Sequence, residues 1–126
     1  MRIVLDASAV LALLLHEPGA DSIREVLADT AISAANLAEV VAKLTDRGFD
    51  DDRVIGDVSA LPLQVHAMDA AQAWRAGLLR RKTRVRDLSL GDRACLALAE
   101  ALEAPAMTMD RSWAALDLEV QVIVPR

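Results

Sequence analysis

The 126-residue chain predicts one α/β domain, spanning residues 1–126, in which a central parallel sheet of about five strands is flanked by helices. Three observations carry this. Short apolar runs recur five times, and longer segments with helical spacing stand between them, the alternation that favours a parallel sheet covered on both faces. Hydrophobic residues make up 54% of the chain, enough for a real core at this length, and no repeat or low-complexity linker suggests a second unit.

The elements follow in order. The first strand is Arg2 to Leu5, and the apolar run Ala9 to Leu15 forms a helix that stops at His16-Glu17-Pro18-Gly19. A strand at Ala31 to Ser33 precedes a helix in which Leu37, Val40, Val41 and Leu44 repeat at i, i+3, i+4, i+7 before Arg47-Gly48 ends it. The run Asp50-Asp51-Asp52 caps and charges the next helix start; adjacent side chains diverge, which makes it a poor metal cage. The strand Leu63 to His66 is followed by a helix opening near Asp69. Leu90, Ala94, Leu98 and Ala101 mark a helix that is apolar around most of its circumference and therefore central. Strands at Ala106 to Met109 and Val120 to Val124 complete the sheet.

Four acids lie where these elements begin or end. Asp6 and Asp110 close strands, while Glu39 and Asp92 lie in the opening turns of helices. Read singly, each is explained by capping as well as by chemistry, since Asn36-Leu37-Ala38-Glu39 and Ser89-Leu90-Gly91-Asp92 resemble capping boxes. Read together, they fall at one sheet edge, the edge where open α/β sheets bind ligands. Carboxylates gathered there repel one another unless a hard cation such as Mg²⁺ or Mn²⁺ neutralises them. Ser8 and Thr108, each two residues from a strand-end acid, supply hydroxyls able to orient a carboxylate or a bound water. His16 and His66 are isolated and Cys95 is a single buried core thiol, so zinc spacing is absent.

The net charge of −5 argues against a generally basic nucleic-acid binder. Six of the 14 basic residues nevertheless fall between Arg75 and Arg86, and Arg80, Arg81, Lys82, Arg84 and Arg86 form a candidate phosphate track or, equally, a solvated helix end. Trp74 and Trp113 read as packing residues. The apolar run near the N-terminus is interrupted by Asp6 and is too short to span a bilayer, so a cytoplasmic protein without membrane attachment is expected.

Asp6-Ala7-Ser8-Ala9, Asn36-Leu37-Ala38-Glu39-Val40, Leu88-Ser89-Leu90-Gly91-Asp92-Arg93-Ala94-Cys95-Leu96-Ala97 and Thr108-Met109-Asp110-Arg111-Ser112-Trp113 resemble successive signatures of the PIN domain, specifically of VapC-type toxins. The resemblance implies a metal-dependent endoribonuclease whose acidic quartet is Asp6, Glu39, Asp92 and Asp110, with Ser8 as the associated hydroxyl. Hydrolysis would use a metal-activated water and leave a 3′-hydroxyl and a 5′-phosphate. It also implies an RNA substrate, tRNA or another structured RNA, a VapB-like antitoxin and a homodimer. The helices Ala9 to Leu15 and Asn36 to Leu44 are candidate partner surfaces or, as packing favours for most of their residues, core. Two rivals remain at this level. Asp6-Ala7-Ser8 after a strand loosely matches the nucleophile loop of haloacid-dehalogenase-type phosphatases, although Ser8 stands where their second acid belongs; a PIN-like binding module without catalysis is the other.

Overall fold

A computed structural model of the chain describes residues Arg2 to Pro125; Met1 and Arg126, the ends of the expected 1–126 domain, lie outside the described residues. The strands are β1 (Ile3–Leu5), β2 (Thr30–Ser33), β3 (Leu63–His66), β4 (Ala106–Met107) and β5 (Val122–Ile123), all parallel in the spatial order β3-β2-β1-β4-β5. β1 is therefore central, and its alternating side chains divide the core. Ile3 and Leu5 pack on one face with residues of α1 (Ala7–Leu14), α2 (Ala20–Val26), α3 (Ala34–Asp46) and α4 (Asp51–Ser59). Val4 faces the other side, against α7 (Leu90–Leu102), Leu79 and Trp113. α5 (Ala70–Leu78) lies along α7, tied to it by an Arg75–Glu100 ion pair and by Arg93 Nη1 donating to the Ala76 carbonyl at 2.9 Å. The short α6 (Arg80–Thr83) follows α5.

Local signals account for most helix starts. Asp50, Asp69 and Ser89 each cap a helix by accepting the backbone N–H three residues on, and Ser89 with Asp92 forms both halves of a capping box. α3 departs from expectation. Its N-cap is Ser33, so Asn36 is the third helical residue and is buried rather than opening a capping box with Glu39. The strand preceding α3 turns directly into helix, which leaves Ser33 to serve both. α2 was not expected from the sequence, because only Ala20 and Ile23 are buried in it and so brief an apolar face shows no period.

β4 is shorter than expected. Thr108 still donates its N–H to the Ile123 carbonyl at 3.0 Å, but the Met109 N–H turns away to the Ser8 hydroxyl, also at 3.0 Å, and the strand leaves the sheet. Asp110 consequently stands beyond the strand end, where it caps a 3-10 turn over Arg111–Ala115. Trp113 is fully buried as expected, whereas Trp74 is 74% exposed on the face of α5 turned away from α7 and is not a packing residue. Helical spacing cannot tell which side of an amphipathic segment meets the core when exposed Trp74 and buried Ala76 are both apolar.

Candidate active site

The chain runs from β1 outward to β2 and β3, then returns to place β4 on the opposite side of β1. The carboxyl ends of β1 and β4 thus border the point where strand order reverses, the crevice at which open α/β sheets bind ligands. Asp6 lies there. It leaves β1, caps α1, and is only 3% exposed. Its Oδ1 accepts from the Ala9 N–H at 2.9 Å and the Ser8 hydroxyl at 2.7 Å, and its Oδ2 accepts from the Thr108 hydroxyl at 2.5 Å. Three donors serve about four lone-pair sites, so Oδ2 keeps room for one more partner.

Both hydroxyls are themselves fixed. Ser8 Oγ accepts the Met109 N–H at 3.0 Å and Thr108 Oγ1 accepts the Asp110 N–H at 3.1 Å, so the backbone leaving β4 sets the proton direction of each toward Asp6. Burial pushes the Asp6 carboxyl from an ordinary 3.8 up to about 6; the Thr108, Ala9 and Ser8 hydrogen bonds oppose the shift, and the negative charge of Asp92 adds to it.

Glu39 and Asp92 reach the same region from α3 and α7. The Asn36 Nδ2 bridges the two helices, donating to Glu39 Oε1 at 3.0 Å and to the Gly91 carbonyl at 2.9 Å. Cys95 lies fully buried one turn beyond Asp92. Burial first, then the charges of Asp6, Asp92 and Glu39, hold its thiol well above the ordinary range. Asp110 joins less directly: its backbone reaches Asp6 through Thr108, but the residue is exposed and its Oδ1 accepts from the Ser112 N–H at 2.9 Å. The four acids do not form a finished cage. Among the described residues no three Asp, Glu, His or Cys side chains are gathered closely enough to hold one metal ion.

The basic segment is sorted by the structure. Arg75 is drawn to Glu100, and Arg80 Nη1 lies 3.3 Å from Asp87 Oδ1. Arg81, Lys82, Arg84 and Arg86 are exposed and have no ion pair among the described residues. Since Ala76 touches Arg93, the end of α5 that leads into this segment adjoins the start of α7, where Asp92 sits.

Comparison with known proteins decides the family. The PIN domain family model matches residues 3–118. The chain belongs to the PIN domain family. The PIN fold here is also that of solved toxin–antitoxin structures. A toxin–antitoxin complex from Klebsiella pneumoniae superposes with a TM-score of 0.79 at 19% identity, covering 98% of each chain. VapBC2 from Rickettsia felis, bound to a promoter DNA fragment, gives 0.78 at 18% identity over 100% of each chain. The sarcin–ricin-loop-cleaving toxin VapC20 of Mycobacterium tuberculosis gives 0.72 at 17% identity, with 90% of this chain and 93% of that one covered. No curated protein sequence matches significantly.

Two features of this PIN site were not foreseen from the sequence. One is the Asn36 bridge, whose signal was present but assigned to a capping box. The other is Gly91, at which an added Cβ would fall 1.9 Å from Glu39 Oε1.

Proposed function

We propose that this PIN-domain protein is a VapC-type toxin, a metal-dependent endoribonuclease that hydrolyses RNA phosphodiester bonds. The observation that carries the reading is Asp6: a buried, desolvated carboxylate at the strand-order reversal, oriented by two fixed hydroxyls and facing the charge of Asp92. The donor set is all oxygen, and Asp6 Oδ2 has capacity for one further bond, which suits a hard divalent cation rather than zinc. Asp6 and Asp92 would hold it, with Glu39 and Asp110 orienting waters around it. The ion, Mg²⁺ or Mn²⁺, supplies an activated water and charge neutralisation at the phosphate. The residues of the chain do the rest. Ser8 and Thr108 hold Asp6 in one orientation, and the exposed Arg81, Lys82, Arg84 and Arg86 attract the RNA backbone toward the Asp92 edge.

The substrate class is a structured RNA, tRNA included; the likeness to a toxin described as cleaving the sarcin–ricin loop supports this class. A VapB-like antitoxin and a homodimer are the proposed protein partners, supported by the likeness to toxin–antitoxin complexes. Of the two candidate surfaces, Ala9 to Leu13 on the first helix is core, while Val41 on α3 is exposed; Trp74 and Leu78 on α5 are among the other exposed large apolar residues and are the proposed contact surface. No helix among the described residues is long and apolar enough to cross a membrane, and a cytoplasmic location is proposed with the toxin reading.

The phosphatase alternative gives way to the family match. Ser8 also stands where the nucleophile loop of such a phosphatase carries its second acid. The decisive experiment is cleavage of total and structured RNA by the purified protein with Mg²⁺ or Mn²⁺, with EDTA and with Asp92→Asn. The substituted amide keeps a carbonyl for the Ser89 N–H, so the helix start survives while cleavage falls by roughly 100-fold or more. Equal cleavage by the variant removes Asp92 from the site. Absence of any metal-dependent cut in antitoxin-free protein moves the reading to a non-catalytic PIN module.

A further inference from the structure

Asn36 occupies a position where packing alone would favour an apolar residue. It is 1% exposed on α3, one turn before Glu39, at the contact between α3 and α7. Its Nδ2 carries two protons and meets two acceptors, Glu39 Oε1 at 3.0 Å and the Gly91 carbonyl at 2.9 Å. These partners determine the amide orientation, because a flipped amide would set Oδ1 against two oxygens. In the orientation they impose, Oδ1 is buried without a hydrogen-bond partner. A buried orphan acceptor destabilises the fold, so the arrangement sacrifices stability at a functional edge.

Gly91 completes the device. A Cβ there would lie 1.9 Å from Glu39 Oε1 and 2.5 Å from its Cδ, so the Glu39 carboxylate fills the space of a missing side chain one residue before Asp92. We propose that Asn36 is a positioning residue that clamps the Glu39 carboxylate over Gly91 and thereby sets the separation of Glu39 from Asp92. This rests on the ribonuclease reading for its consequence in catalysis, but the clamp itself can be judged by metal binding. Without Asn36, Glu39 is a half-exposed glutamate free to swing into solvent, away from the Asp92 edge.

The test compares Asn36→Leu, Gly91→Ala, Glu39→Gln and the Asn36→Leu/Glu39→Gln double variant in the full chain. Leucine shares the forked shape of asparagine; it removes the orphan acceptor but also withdraws the donor from Glu39 and the Gly91 carbonyl, so Asn36→Leu keeps a thermal midpoint close to that of the parent. Its kcat on RNA falls roughly 10- to 100-fold with KM little changed, and its Mn²⁺ affinity, read by calorimetric titration, falls in parallel. Gly91→Ala produces the same two losses with Asn36 intact, which keeps the test valid should Asn36→Leu fold poorly. In the Glu39→Gln background, Asn36→Leu has less than about a two-fold further effect, the non-additivity of residues acting as one unit. Additive losses, or parental Mn²⁺ affinity in both Asn36→Leu and Gly91→Ala, overturn the clamp. A parent protein that binds Mn²⁺ with this dependence but cuts no RNA overturns the ribonuclease reading and leaves the clamp standing.

Discussion

At the scale of single residues, Asp6 joins stability to function through one proton. Its folded pKa of about 6 exceeds the ordinary 3.8, so between these values the native state binds more protons than the unfolded chain. Stability therefore falls as pH rises through this window and levels off above pH 6. One pK unit corresponds to about 1.4 kcal/mol, which makes the penalty about 3 kcal/mol at neutral pH. Asp6→Asn avoids it. The new carbonyl still accepts from Ala9 and Ser8, and the Thr108 hydroxyl, which has a second lone pair, rotates to accept from the new amide. In EDTA, urea unfolding of Asp6→Asn at about pH 7.5 should show a gain of roughly 1–3 kcal/mol over the parent, shrinking toward zero at about pH 4. A parent stability that rises from about pH 4 to about pH 7, with no gain in the variant, contradicts the assignment of Asp6 as a desolvated carboxylate. Addition of Mn²⁺ should stabilise the parent and not the variant, because a ligand that binds only the native state raises its stability by mass action.

At the scale of elements, the start of α7 concentrates the most information in the fewest residues. Ser89 accepts the Asp92 N–H at 3.1 Å and Asp92 Oδ2 accepts the Ser89 N–H at 3.0 Å, so the residue proposed for metal binding is also half of a helix cap. Replacing Ser89 by Ala should cost about 1 kcal/mol in denaturant unfolding, with Ser89→Asp recovering most of the loss; a loss below a few tenths would mean that the cap does not hold the helix start. This motif was legible because Ser-x-x-Asp stands directly before an apolar run with no competing cap beside it. So were the caps at Asp50 and Asp69 and the stop at Gly48, whose φ of +91° suits glycine. The start of α3 was not legible, since Ser33 and Asn36 are both competent caps and only the docking of β2 beside β1 chooses between them. The end of β4 was hidden for a similar reason. Its last hydrogen bonds pass to Ser8 and Asp6, 101 and 102 positions away in sequence, beyond the reach of any local pattern.

At the scale of the whole molecule, the sequence pattern located Asp6 and Asp92 at element ends, whereas Glu39 is the sixth residue of α3 and Asp110 stands beyond β4, and the pattern could not say how tightly the four meet. Their separation depends on side-chain bridges such as Asn36, and on a glycine whose importance lies in what occupies its empty side. Charge behaves likewise. The net charge of −5 repels RNA at long range, so productive approach depends on a local excess of cations. Counting the basic segment by sequence gives six, yet Arg75 and Arg80 are engaged with Glu100 and Asp87, and only Arg81, Lys82, Arg84 and Arg86 are both exposed and without an ion pair among the described residues. A phosphate track made of these four predicts a particular salt response. In the Asp92→Asn background, which binds without cutting, Arg81→Gln/Lys82→Gln/Arg84→Gln should flatten the slope of log K against log salt by roughly 2, at about 0.7 for each single-strand phosphate that is no longer neutralised. Arg75→Gln should leave the slope unchanged and lower thermal stability instead, because it breaks the α5–α7 tie at Glu100. Fluorescence anisotropy with a labelled RNA hairpin between about 50 and 200 mM salt, where binding through phosphates weakens steeply, separates the two. Equal slopes for parent and triple variant would return the segment to a solvated helix end, and a slope that changes with Arg75 alone would place the RNA along the outer edge of α7 rather than at the mouth of the acidic crevice.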